Sequence, residues 1–128
     1  MGEQDLKYHE LTAKIIGSAM KVHRYFGPGF PEIVYQKALM LELSKLDINF
    51  RQEVEKDIFY ECQWIYKRRL DLVVENLVLL ELKAIQQTDN RDINQIINYL
   101  RVFKMEIGLL LNFGGTRLFF KRFINSKL

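Results

Sequence analysis

Several residue types that build special structures are scarce in this chain of 128 residues. The single cysteine, Cys62, excludes an intramolecular disulfide and a cysteine-based metal cage, and it favours a reducing compartment. Two prolines and seven glycines leave no stretch that resembles a flexible linker. No apolar run reaches the length that spans a bilayer, and the polar segment Met1–Glu10 does not resemble a secretory signal. We therefore expect one domain over residues 1–128, without a membrane segment, in the cytoplasm.

The residues that are present have the composition of a folded domain. Hydrophobic residues make up 48% of the chain and charged residues 27%, which is too apolar for a disordered protein. The net charge of +3 is compatible with nucleic acid as a partner, but many proteins that never bind phosphate share it. Composition therefore predicts a hydrophobic core and leaves the function open.

Hydrophobic periodicity predicts the order of helices and strands. Apolar residues recur at helical spacing from Leu6 to Tyr25 and, after the glycines and prolines of 27–31, again to about Leu46. Strands are predicted at 50–60, 64–74, 78–85, 107–113 and 117–124. Between the third and fourth strands a helix is predicted, with residues 89–92 at its cap and a buried stripe of Ile93, Ile96, Ile97 and Leu100. This order, α-α-β-β-β-α-β-β, is typical of an α/β fold with a mixed, mostly antiparallel sheet flanked by helices.

Two of the predicted strands carry charges inside apolar runs. Asp71 interrupts the run 70–74, while Glu81 and Lys83 interrupt the run 77–84. Burying a charge is costly unless the charge is paired or binds a metal. Two carboxylates and a lysine on adjoining strands suit metal-assisted attack on phosphate. A structural ion pair of Glu81 and Lys83 at a sheet edge is the alternative, and the charges alone do not decide between the two.

The turn between these strands determines whether the charges meet. A two-residue turn at 75–76 would pair Asp71 with Leu80 and point Glu81 to the opposite face of the sheet. A three-residue loop at 75–77 would place Asp71 directly opposite Glu81. The hypothesis of a shared site requires the second register.

Three short motifs occur in a fixed order along the chain. Residues 29–35 fit the pattern GxxExxY, with Glu32 as the acidic residue. Asp71, followed by Glu81-Leu82-Lys83, fits D…ExK, and Gln95 and Tyr99 fit QxxxY. Together the motifs resemble the GxxExxY family, a branch of the PD-(D/E)XK nuclease superfamily, over about Leu11 to Phe120. Leu70 stands where the superfamily name has proline.

The resemblance implies a restriction-endonuclease-like core and a metal-dependent phosphodiester hydrolase, a nuclease that acts on DNA. It implies that the carboxylates of Asp71 and Glu81 and the backbone carbonyl of Leu82 hold Mg²⁺, for which Mn²⁺ would substitute. Lys83 would then assist the attack of water on phosphate. The further site residues that it implies are Glu32, Gln95 and Tyr99.

The auxiliary residues also have structural interpretations. Glu32, near the start of its helix, suits the positive end of the helix dipole. Gln95 and Tyr99 share one helix face and could simply be solvated. Tyr35 could either reach the site or pack in the core.

Basic and aromatic residues outside the motifs are weaker signals. The run Lys67-Arg68-Arg69 could steer a polyanion or form a solvated face. Trp64, Phe119, Phe120 and Phe123 are expected in the core, although one exposed ring could stack on a base. The alternative function is a catalytically inactive domain that binds nucleic acid or protein on the same scaffold, including a homodimer through the last strand.

Overall fold

Five strands form one mixed sheet that has helices on both faces. We describe it from a computed structural model that covers residues 3–125, with side chains from residue 8 onward. The elements are α1 (Glu3–Phe26), α2 (Glu32–Lys45), β1 (Phe50–Tyr60), β2 (Gln63–Val74), β3 (Val78–Lys83), α3 (Asn90–Val102), β4 (Ile107–Asn112) and β5 (Phe119–Ile124). The predicted α/β class and the predicted order of elements are confirmed.

The strands lie side by side in chain order, from β1 to β5. Neighbours run antiparallel except β3 and β4, which are parallel. A parallel pair needs a long crossover connection, and α3 provides it. The helix therefore returns across the sheet beside the end of β3, where Glu81 and Lys83 lie.

Apolar side chains form two cores, one on each face of the sheet. Helices α1 and α2 cover one face, where Ile15, Leu39 and Leu80 are buried together. Helix α3 covers the other face through Ile96 and Leu100. Because β3 and β4 are covered on both sides, their sequences are continuous apolar runs rather than alternating ones. No helix within residues 3–125 is long and apolar enough to cross a membrane.

The contact of α3 with the sheet is narrower than its sequence indicates. Ile97, predicted in the buried stripe, is 45% exposed, whereas Ile96 and Leu100 are buried. The start of the helix agrees with the prediction, because Asp89 caps it and Asp92 completes a capping box.

The loop between β2 and β3 has the register that a shared site requires. Val74 pairs with Val78, so three residues, 75–77, form the connection. Val73 and Leu79 pair across the strands and lie in the core under α3. Because side chains alternate along a strand, Glu81 points to that same face. In this register Asp71 lies opposite Glu81, at the place where the alternation of β2 breaks, since Leu70 and Val73 both pack under α3.

The prediction that Trp64, Phe119 and Phe120 lie in the core is wrong. Their side chains are 56%, 37% and 42% exposed, while Phe123 is partly buried under α3. Trp64 is exposed because the pairing of β1 with β2 extends to Tyr60–Gln63, whereas β3 pairs only with residues 72–74 of β2. Phe119 and Phe120 lie on β5, which is an edge strand.

Candidate active site

Asp71 lies where the pairing of β2 with β3 ends. The ladder stops at Leu72–Leu80, although both strands continue beyond that pair. There the backbone N–H of Leu82 donates to Oδ2 of Asp71 over 2.9 Å, so a side chain satisfies a strand donor. Burial raises the pKa of the Asp71 carboxyl, while this hydrogen bond and the cations Lys83 and Arg68 act against the rise. The hydrogen bond holds Asp71 beside Glu81 and Leu82.

Glu81 is the most buried charged side chain of this cluster. It is 2% exposed, and its Oε1 atom is buried without a hydrogen-bond partner. Burial, with the negative charge of Asp71 beside it, raises the pKa of Glu81 to about 8, against the effect of Arg68 and Lys83. A buried carboxylate oxygen without a partner is unfavourable in a purely structural role. The unpartnered oxygen of Glu81 therefore indicates a ligand that the protein does not itself supply.

Lys83 points to the same face of β3 as Glu81. Its Nζ atom donates to Oε1 of Gln95 over 3.2 Å, and its charge acts on Asp71, Glu81 and Glu32. In the described residues it forms no close ion pair with Glu81. The alternative of a structural ion pair at a sheet edge is wrong, because β3 is the central strand.

Glu32 approaches the cluster from the other side of the sheet. It is the first residue of α2 and is partly buried. Burial raises the pKa of Glu32 most, and the negative charge of Asp71 raises it further, against the effect of Lys83 and Arg68. The start of the helix therefore brings Glu32 within electrostatic reach of Asp71, in addition to its favourable position on the helix dipole.

Helix α3 contributes Gln95 and Tyr99, which lie one turn apart and are partly buried. Gln95 accepts the hydrogen bond from Lys83. The Tyr99 ring lies under Arg68, with 5.2 Å between the guanidinium carbon and the ring centre. Burial is the main cause of the raised pKa of the Tyr99 hydroxyl. Both residues thus contact the charged cluster, so neither is a solvated bystander.

Arg68 is the member of this cluster that the motifs do not identify. Its charge lowers the pKa of Glu32, Asp71 and Glu81, opposing the effect of burial on each. Of the two interpretations of residues 67–69, the solvated face fits Lys67 and Arg69, whose exposed side chains both pair with Glu55, at 3.3 and 3.8 Å. Alternation counted from Asp71 would have selected Lys67 and Arg69 instead. Arg68 reaches the face of α3 because β2 is irregular between Leu70 and Val73, which both pack under that helix.

Tyr35 belongs to the core rather than to the cluster. Its ring is fully buried and stacks on Phe113, with 4.7 Å between ring centres. Its hydroxyl donates to the carbonyl of Gly27 and accepts from the N–H of Phe30. The last residue of the pattern GxxExxY therefore fixes the segment that leads into α2 and so the position of Glu32.

The donor set fits a hard divalent cation. Within residues 3–125, no three histidine, cysteine or acidic side chains are arranged to hold a metal by themselves. Mg²⁺ does not require such a cage, because it keeps several waters and commonly takes one or two carboxylates. Asp71, Glu81 and the carbonyl of Leu82 meet this requirement, and the unpartnered Oε1 of Glu81 is the observation that supports the fit.

Comparisons with known proteins agree with this fold. A family model described as the PD-(D/E)XK nuclease superfamily matches residues 9–123. Among solved structures, that of SSO0001 is similar in fold, with a TM-score of 0.52 and 19% sequence identity over 73% of this chain. The chain spans about half of that structure, 49% of its length. No curated protein matches the chain.

Proposed function

The chain belongs to the PD-(D/E)XK nuclease superfamily, and from this premise we propose that it is a metal-dependent nuclease acting on DNA. The proposal depends above all on one observation, the buried Glu81 whose Oε1 lacks a partner beside Asp71. We also propose that it is a single cytoplasmic domain of the GxxExxY branch, in which residues 29–35 fit the defining pattern.

Asp71, Glu81 and the carbonyl of Leu82 are the proposed ligands of Mg²⁺, or of Mn²⁺ in its place. A bound divalent ion would supply Lewis-acid activation of the scissile phosphate and of water. Asp71 is held by the N–H of Leu82, so its carboxylate needs little reorganisation to act as a ligand.

The remaining polar residues of the cluster would each act on a different part of the substrate. Lys83, oriented by Gln95, would offset the negative charge that develops on the phosphate oxygens. Glu32, whose pKa is raised by burial and by Asp71, would orient the attacking water and hold its proton. Arg68 and Tyr99, which lie against each other, would contact a neighbouring phosphate.

A cleavage assay on DNA and RNA, with Mg²⁺ or Mn²⁺, tests this function. We expect cutting of DNA that falls at least about 100-fold in Glu81→Gln and in Asp71→Asn. Asp71→Asn keeps an oxygen that can accept from the N–H of Leu82, so a loss of activity would not reflect unfolding. Glu10→Gln, on the exposed face of α1, is the matched control and should cut like the wild type.

The proposal fails if no substrate is cut with either metal. It also fails if cutting survives Glu81→Gln, because the activity would then belong to another site or to a contaminant.

A further inference from the structure

The outer part of the β1–β2 hairpin presents two chemically different faces. We call the face that carries Arg68 the inner face and the opposite face the outer face. The inner face consists of Lys56, Ile58, Tyr60, Gln63, Tyr66 and Arg68. The outer face consists of Glu55, Asp57, Phe59, Trp64, Lys67 and Arg69.

The strand register defines this division. Arg68 pairs with Lys56 and Tyr66 pairs with Ile58, so these four side chains share one side of the hairpin. A one-residue irregularity follows, with Ile65 as the extra residue of β2, after which Tyr60 pairs with Gln63.

An independent contact agrees with that assignment. The Trp64 indole N–H donates to Oδ1 of Asp57 over 3.0 Å, as expected if both lie on the outer face. The irregularity therefore leaves the two faces intact up to the tip of the hairpin.

Charges are balanced on the outer face and unbalanced on the inner one. Lys67 and Arg69 pair with Glu55, and Lys67 also lies 3.9 Å from Asp57. In the described part of the chain, Lys56 has no acidic partner, and the Nε atom of Arg68 is buried without a hydrogen-bond partner. On the inner face, Lys56 is therefore a cation without an ion pair among the described residues, while the charge of Arg68 is compensated only in part, by the carboxylates of the catalytic cluster.

Two exposed tyrosines continue this face away from the catalytic cluster. Tyr60 is 63% exposed and Tyr66 is 59% exposed. Arg68 and Gln63 are five residues apart on β2, which corresponds to about 16 Å of extended strand. The inner face is therefore a path with cations beside the catalytic cluster and aromatic rings further out.

We propose that this path binds single-stranded DNA, with phosphates on Lys56 and Arg68 and bases stacked on Tyr66 and Tyr60. This inference rests on the proposed nuclease function and names the form of its substrate. Proteins bind unpaired strands by combining cations with exposed aromatic rings, because every base offers a stacking face. In a duplex those faces are covered by neighbouring bases, so tyrosine rings on a hairpin gain contact only with an unpaired segment.

The test is binding of a fluorescein-labelled single-stranded oligonucleotide, followed by anisotropy in EDTA so that cleavage plays no part. We expect Tyr60→Ala/Tyr66→Ala to lose affinity at least about tenfold. The matched control Phe59→Ala/Trp64→Ala removes two rings of the same hairpin from the outer face and should bind like the wild type. Tyr60→Phe/Tyr66→Phe keeps the rings and should also bind like the wild type, while a blunt duplex should bind more weakly.

Several outcomes would overturn the inference. It fails if the two alanine pairs weaken binding equally, or if the tyrosine pair has no effect. It also fails if a blunt duplex binds as tightly as the single strand. If sedimentation shows that the tyrosine pair only dissociates a dimer, the face is an interface between copies of the chain instead.

The same experiment separates this inference from the proposed function. If the protein binds the single strand through its tyrosines but cuts nothing with either metal, the binding path stands and the proposed nuclease function fails. If cutting depends on Glu81 while Tyr60→Ala/Tyr66→Ala binds and cuts like the wild type, the nuclease function stands and the binding path fails.

Discussion

At the scale of the residue, the cost of burying Glu81 is the main physical fact about the site. A carboxylate that is 2% exposed, with one oxygen unpartnered, is stabilised only in part by Arg68 and Lys83. Asp71 beside it adds repulsion. A divalent cation would relieve both the desolvation and the repulsion, which is why a metal site is a better interpretation than a structural one.

The buried carboxyl makes the stability of the metal-free protein depend on pH. The pKa of Glu81 is about 8 in the folded state, against an ordinary value of 4.5. Between these values the folded state holds a proton that the unfolded state has lost. The free energy of unfolding should therefore fall as pH rises through this window, by up to about 1.4 kcal/mol per pH unit from this group.

Urea unfolding in EDTA from pH 5 to pH 9 measures this effect. In Glu81→Gln the contribution of Glu81 to the slope should vanish, whereas Glu10→Gln should keep the slope of the wild type. Parallel pH profiles for the wild type and Glu81→Gln would contradict the assigned burial.

Lys83 and Gln95 should behave as one unit, because the amide of Gln95 accepts from the ammonium of Lys83. We expect Lys83→Met to lower the cleavage rate at least about 100-fold, and Gln95→Ala to lower it about 10-fold through the position of Lys83. In the Lys83→Met background, Gln95→Ala should have little further effect, which a double-mutant cycle on single-turnover rates measures. Additive losses would show that Gln95 acts on its own.

At the scale of the element, the length of the loop 75–77 determines whether Asp71 lies opposite Glu81. The sequence does not choose between a two- and a three-residue turn, because Asn76 tolerates the positive φ that either turn requires. In the structure both Glu75 and Asn76 have positive φ.

The position of Arg68 in the site could not be predicted, because alternation from Asp71 selects Lys67 and Arg69 and the irregularity of β2 between Leu70 and Val73 reverses this. The exposure of Trp64 could not be predicted either, because the same alternating pattern fits a strand whether or not other elements cover it.

Gly114 is required by the way the β4–β5 connection crosses the end of β3. A Cβ atom there would overlap the backbone of Ile85, just beyond Lys83. We expect Gly114→Ala to lower the free energy of unfolding by at least about 2 kcal/mol. Gly17, exposed within α1, has no heavy atom within 4 Å of an added Cβ, so Gly17→Ala should stabilise by about 0.5–1 kcal/mol. Thermal unfolding of the two variants measures both changes in stability. Equal changes in Gly114→Ala and Gly17→Ala would contradict the close contact of Gly114 with Ile85.

At the scale of the whole molecule, periodicity and turn residues were enough to predict the order of the helices and strands. The core under α1 and α2 and the core under α3 follow from the apolar runs of β3 and β4. The approach of Glu32 to Asp71 could not be derived from the spacing of residues, because it depends on how α2 lies against the end of the sheet. Only the motif resemblance indicated it.

The most direct test of the account is a calorimetric titration with Mn²⁺ at pH 7, on the wild type, Asp71→Asn, Glu81→Gln and Glu10→Gln. We predict saturable binding by the wild type and by Glu10→Gln, and its loss in the two site variants. No binding by the wild type, or unchanged binding by Asp71→Asn and Glu81→Gln, would contradict the assignment of a metal site to these two carboxylates.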